Sequence, residues 1–175
     1  TNIFTKYVTG YKYKWEKETK VLEPTFDTGT KTEYDLTADM HAFKPGVYVI
    51  EASCKDKFGE DIKAFDYVTV FNKANSEVPE QVADWFYLHK QNAEPGESIS
   101  FIQASGYSNV NYLFEVEHQG SISLSQTQAA SMKQHELKIE EVHRGNVSFY
   151  TSFIKNNRFY QHSNTITVPY TNKEL

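Results

Sequence analysis

A chain of 175 residues with 23 Asp and Glu against 18 Lys and Arg, a net charge of −5, lacks the basic field with which a general nucleic-acid binder neutralises phosphates. Aromatic residues make up 15 % and hydrophobic residues 39 % of it, enough for a core and weighted toward the Tyr, Phe, Val, Ile and Thr that suit half-buried pleated surfaces. Its single cysteine, Cys54, excludes an intrachain disulfide framework, and no apolar run approaches the roughly 20 residues of a membrane helix, so no direct membrane insertion by this segment is expected.

The chain opens TNIFTKYVTG, with neither an initiator Met nor a signal-peptide pattern, and reads as a fragment with any signal or anchor outside it. GYKYKWEK over 10–17 alternates strictly, Tyr11, Tyr13 and Trp15 on one face and Lys12, Lys14 and Glu16 on the other, the period of a strand. KTEYDLT over 31–37 gives a weaker strand. Pro45-Gly46 then leads into VYVIEASC, whose Tyr48, Ile50, Ala52 and Cys54 share a face, and IKAFDYVTVF follows over 62–71. Between these two runs, CKDKFGED raises the question of a metal or thiol site. Its carboxylates do not match a calcium loop, and Gly59 falls where a hairpin turn needs positive φ. No CxxC, nearby His or helix start accompanies Cys54, which is therefore expected to be a small core residue of its strand.

The polar, aperiodic stretch NKANSEVPEQV over 72–82 marks a boundary. It divides the chain into a first β domain over 1–74, short of the roughly 100 residues of a full sandwich, a linker over 75–82 and a second β domain over 83–175. In the second, DWFYLHK, the turn AEPGES and ISFIQAS come first. NVNYLFEVEHQ then places Val110, Tyr112, Phe114 and Val116 on one face, and Gly120 turns the chain into SISLS. QTQAASMKQ over 126–134 is the one candidate for a helix or long loop. ELKIEEV, the turn HRGN, VSFYTSFIK, the turn NNR and NTITVPY close the chain. Short strands at about 8–12-residue spacing predict an all-β antiparallel sandwich, and the lack of strand–helix alternation argues against a parallel α/β sheet.

No pattern of an enzyme emerges. The six histidines form no HExxH, since His135-Glu136 has Ile at position 139. His118, His135 and His143 could meet across a sheet. The chain has no GxSxG and no phosphate-binding glycine loop. Glu140 and Glu141 would point to opposite faces of a strand and could not work as a carboxylate pair. Asn146-Val147-Ser148 is a glycosylation sequon of consequence only in a eukaryotic secretory host. No cofactor or metal is expected. The aromatic rows are the better candidates for a ligand: Tyr11, Tyr13 and Trp15, or Trp85 with Tyr87, could form a stacking platform for a sugar ring if exposed, or the inward face of a strand if not.

Several stretches together resemble a known family. GVYVIEASCKDKFGED and the run ending VTVFN resemble the end of a macroglobulin domain, where a Pro-Gly turn, an apolar strand and an Asp-x-x-Gly turn cross the last hairpin. WFYLHKQNAEPGESISFIQAS is similar to the opening strands of the next such domain. VHRGNVSFYTSFIKNNRFYQHSNTITVPYTNKEL is similar to its closing strands in the alpha-2-macroglobulin-like proteins of Bacteroidetes-type bacteria. The resemblance spans roughly residues 40–175 and rests on the order of its motifs. It implies two tandem antiparallel, immunoglobulin-like or fibronectin-III-like β-sandwiches of the macroglobulin type, in a periplasmic, cell-surface or secreted protein that inhibits proteases by trapping them. Its partners would be neighbouring domains of a larger chain and proteases. The family's thioester motif, Gly-Cys-Gly-Glu-Gln, is not matched at Cys54, which sits in ASCKD, so no site residue carries over and a non-catalytic scaffold role is what the resemblance implies. The alternative is a cell-surface glycan-binding or adhesive module using Tyr11, Tyr13, Trp15, Trp85 and Tyr87.

Overall fold

The computed structural model describes residues 16–40, 42–72 and 77–170. Tyr11, Tyr13 and Trp15 lie outside them, as does the 73–76 part of the boundary stretch. Contacts divide the chain between Val70 and Phe71 into two units. Among the described residues both are built on antiparallel strands, with one helical turn, α1 (Thr37–Met40), in the first.

The first unit is organised around a hairpin of β1 (Gly46–Lys55) and β2 (Asp61–Val70), paired from Gly46↔Val70 to Lys55↔Asp61. Asp56 builds the turn. Its Oδ1 accepts the N–H groups of Phe58 (2.8 Å) and Glu60 (2.9 Å), and Gly59 takes the left-handed conformation at φ 85°. The acidic cluster at 56–61 is thus a turn whose carboxylate satisfies backbone donors. Opposite residues in the ladder share a face, so Tyr48, Ile50, Ala52 and Cys54 line up with Val68, Asp66, Ala64 and Ile62. Lys17 reaches the other face, where it pairs with Glu51 and lies 5.3 Å over the Phe65 ring.

Two expectations fail in this unit. Residues 31–36 form no strand. Asp27 and its neighbours make a local turn there, with the Gly29 N–H donating to Asp27 Oδ1 at 2.9 Å and the Tyr34 hydroxyl to the Asp27 carbonyl at 2.6 Å. Such local bonds compete with a sheet ladder for the same backbone. Cys54 is also no core residue, because it is exposed. The alternation placed it on the correct row, but in the outer half of the hairpin both faces are open, with Ile50 48 %, Ile62 52 % and Phe65 56 % exposed.

The second unit has two antiparallel sheets. Strands β3 (Trp85–Leu88), β4 (Ser98–Ala104) and β7 (His135–Lys138) form one, in the order β3-β4-β7. Strands β5 (Asn111–His118), β6 (Ser121–Ala129), β8 (Gly145–Lys155) and β9 (Arg158–Val168) form the other, in the order β6-β5-β8-β9. The inward residues Tyr112, Phe114 and Val116 of β5 and Val147, Phe149 and Phe153 of β8, with the polar Thr151 between the last two, meet Ile99, Phe101 and Ile139 in one core. For β5 this is the face read off the sequence, and β8 follows the same period of two. The β8–β9 hairpin turns at Asn156-Asn157, whose φ values of 51° and 59° fit the tight turn that matches strand twist.

The outer face of the three-stranded sheet carries a second cluster, in which Trp85, Ile102, Ala104 and Met132 pack with Phe71, Val78, Val82 and Tyr87. The described end of the boundary stretch, 77–82, therefore lies on this unit, where the Gly106 N–H donates to the Val82 carbonyl at 2.7 Å. A side chain at Gly106 would meet the Gln81 backbone at 3.1 Å, so the close approach depends on glycine.

Two further elements differ from the sequence reading. Gln126–Ala129 complete β6 and only 130–134 are loop, with Met132 buried at its centre. The strand expected across ELKIEEV stops at Lys138, and Glu141–His143 form a 3-10 turn. Glu140 and Glu141 consequently lie outside any strand.

The exposure of Cys54 has a direct readout. In the native protein it should react with a small thiol reagent within about tenfold of the rate of the unfolded chain. Protection of a hundredfold or so would place it back in a core.

Candidate functional site

A polar constellation in the second unit spans its two sheets. Thr151 sits on β8 between Phe149 and Phe153, at an inward position of an otherwise apolar row. Its hydroxyl donates to Gln103 Oε1 at 2.8 Å, and Gln103 Nε2 donates to Asp84 Oδ1 at 2.9 Å. His162, opposite Thr151 on β9, brings Nε2 within 2.8 and 2.9 Å of the two Asp84 oxygens. The imidazole also stacks on Phe86, centroids 4.3 Å apart and planes 16° from parallel. Gln103 and Thr151 are buried, while Asp84 and His162 sit at the rim.

Every donor in this chain points toward one carboxylate. The arrangement contains a His–Asp pair, but the hydroxyl at its far end is already the donor of an interior hydrogen bond, and the imidazole presents Nε2 to Asp84. A nucleophilic triad needs a hydroxyl held against a free ring nitrogen. What this geometry does chemically is fill the lone pairs of a half-buried charge, the condition under which such a group can be retained between two sheets.

The residues singled out in the sequence do not gather. Tyr11, Tyr13 and Trp15 lie outside the described residues. Trp85 is 8 % exposed and meets Phe71 edge-on at 5.0 Å, while Tyr87 meets the same ring at 4.8 Å. Trp85 thus offers no open face on which a sugar could stack. His118 and His143 do come together, ring centroids 5.7 Å apart, while His135 stacks elsewhere, on Phe101 at 5.4 Å. The His118–His143 pair makes a poor metal seat. The Glu140 N–H donates to His143 Nδ1 at 3.0 Å, which occupies that lone pair and leaves the proton of the neutral ring on Nε2. Among the described residues no three His, Cys, Asp or Glu side chains are grouped as metal ligands.

Where the chain leaves β9, Arg144 forms a clamp. It is 8 % exposed, grips Glu141 through Nε (2.6 Å) and Nη2 (3.0 Å), and donates through Nη1 to the Pro169 carbonyl. The next residue, Gly145, has φ 99°, and a side chain there would run into the Tyr170 hydroxyl at 2.9 Å.

No protein-family model matches the chain, and no curated protein matches it either. The site must therefore be judged on its own chemistry.

The inter-sheet chain was legible only in part. A Thr inside the inward row of VSFYTSFIK and a Gln inside ISFIQAS are polar residues at core positions, which signals a buried partner. Neither position says that the partners lie 48 residues apart in sequence.

Two measurements test this account. Asp84→Ala strands the buried Gln103 amide and should lower the unfolding free energy by about 2–3 kcal/mol, and Thr151→Val should lower it by about 1–2 kcal/mol. The two effects should sum to more than the double variant shows in urea titrations, because the groups share one chain. His135 supplies a pH test. Burial, and then the nearby Lys133 charge, push its imidazole below the ordinary value, and its Nε2 is buried without a hydrogen-bond partner. The unfolded ring protonates at higher pH than the folded one. Stability should therefore be full above the ordinary imidazole value of about 6.5 and decline as pH falls below it. His135→Leu should make that decline shallower.

Proposed function

We propose that this chain supplies non-catalytic structural domains to an alpha-2-macroglobulin-like, protease-trapping protein of the envelope of a Bacteroidetes-type bacterium. The observation that carries the reading is the second unit. Among its described residues, seven antiparallel strands, three in one sheet and four in the other, line one main core, which supports reading 85–175 as a sandwich of the macroglobulin type. The Pro95-Gly96 turn of the resembling stretch is tied to that core through the backbone: Gly96, exposed and at φ 96°, donates its N–H to the carbonyl of the buried Ile139 at 2.8 Å.

The side chains support a scaffold rather than a reaction. Asp84, Gln103, Thr151 and His162 bind one another, and Arg144 binds Glu141 and the backbone at Pro169. On this reading the partners are neighbouring domains of a longer chain, and proteases engage the assembled molecule elsewhere. The setting is extracytoplasmic, with signal or anchor outside residues 1–175. Burial of Trp85 removes one of the two rings that the glycan-binding alternative needs from this unit.

The test is the size and fate of the native protein. An antibody raised against this chain should detect, in extracts of the source organism, a band far above 20.2 kDa, which proteases of different specificity convert to a few large, persistent fragments. A native band near the mass of this chain would defeat the proposal.

A further inference from the structure

The four edges of the second unit are not alike. β3 and β7 are four residues long, and β7, His-Glu-Leu-Lys, is charged. The outer side of β9 is covered near its end by residues 91–93, since Ala93 N–H donates to the Thr167 carbonyl at 3.1 Å and Thr167 N–H to the Gln91 carbonyl at 2.9 Å. These are the devices by which sheets protect an edge: shortness, charge and a covering loop.

Among the described residues β6 has none of them over most of its length. Its nine residues, SISLSQTQA, include no charge, no Pro and no Gly, and Ser121 to Thr127 are exposed. A bulge opposite Val116/Glu117 disturbs only the start of the strand and leaves Leu124–Ala129 in regular register with β5. Which backbone groups are open follows from the hydrogen bonding. The Ala130 N–H donates to the Val110 carbonyl at 2.8 Å. In an antiparallel ladder the residues that bond across alternate, so Gln128, Gln126 and Leu124 also turn their backbone groups toward β5. Ser125, Thr127 and Ala129 turn theirs away from it, to the side where the sheet order ends.

We propose that β6 is a homodimerisation edge, at which a second copy of this chain pairs antiparallel about a two-fold axis at Thr127. In that register Thr127 faces Thr127 and Ser125 faces Ala129, and each of these pairs exchanges both of its hydrogen bonds. Every outward group of the three residues is then satisfied. The composition of the strand favours its own copy as occupant. It is uncharged, so two copies meet without like charges facing across the new ladder, whereas it offers nothing by which a charged peptide would be selected. Pairing about Thr127 closes on itself as an isologous contact. The contact is short, below the roughly 1,000 Å² of a firm interface, and the dimer is accordingly a weak one. The inference does not depend on the proposed scaffold role.

Sedimentation equilibrium of the full chain, with Cys54→Ser to remove the exposed thiol, should show a monomer–dimer equilibrium between about 10 and 500 µM. Thr127→Lys puts two like charges face to face at the axis and should weaken the dimer at least about tenfold. A thermal melt should match that of the parent, since Thr127 is exposed. Across a hydrogen-bonded pair the Cα atoms lie about 5.5 Å apart, within disulfide reach. Thr127→Cys in the Cys54→Ser background should therefore form a covalent dimer under mild oxidation, while Ser163→Cys on β9 should not. A chain that stays monomeric throughout, a dimer indifferent to Thr127→Lys, or equal cross-linking from both cysteines would each overturn the proposal.

Discussion

The second unit depends on one carboxylate. Asp84 stands at the entry to β3, and the donors that reach it come from β9 directly and from β8 through Gln103 on β4. Apolar packing between two sheets is non-directional and tolerates sliding. A chain of hydrogen bonds with fixed donors and acceptors does not. The Phe-rich interior holds the layers together, and the Asp84 chain specifies which residue of one sheet stands over which residue of the other. The cost of burying these groups is offset because each has a partner, and the same condition keeps them from being free to act on a substrate.

The two units solve the problem of a β surface differently. In the second, the outer face of the small sheet is covered by Phe71, Val78 and Val82, so Trp85 is buried although it lies outside the main core. In the first, the two strands of the hairpin carry an apolar row on one face, yet its Ile50 and Ile62 remain open, as does Phe65 on the other face. A two-stranded ribbon has too little surface to bury its own side chains.

What the sequence revealed, and what it withheld, follows from this difference. Alternation in NVNYLFEVEHQ located β5 and the face it buries, and VSFYTSFIK reads as a strand without its inward face being assigned. Glycine and asparagine at the tips located the turns at Gly59, Gly120 and Asn156-Asn157, because few other residues take positive φ there. Alternation reports which residues share a face and does not report whether anything covers that face. Cys54 was therefore assigned to a core, although it is exposed. Short-range competition was also hard to read: Asp27 captures the backbone before 31–37 can become a strand, and the 3-10 turn after Lys138 interrupts what looked continuous. The Asp84 chain was the least visible part, since its members are far apart along the chain and each is unremarkable alone.

The Arg144 clamp has a mechanical meaning. In a chain that continues into neighbours, tension applied beyond Tyr170 enters this unit at Pro169. The Arg144 guanidinium ties that point to the connection before β8, and the Tyr170 hydroxyl bonds to the Arg144 carbonyl at 3.1 Å. Load is thereby shared between the last strand and its neighbour before any rung of the β8–β9 ladder opens. Under such a load the end of β9 would act as a splice rather than a free tail, with the short side-chain knot at the rim breaking before the first backbone bond of the strand.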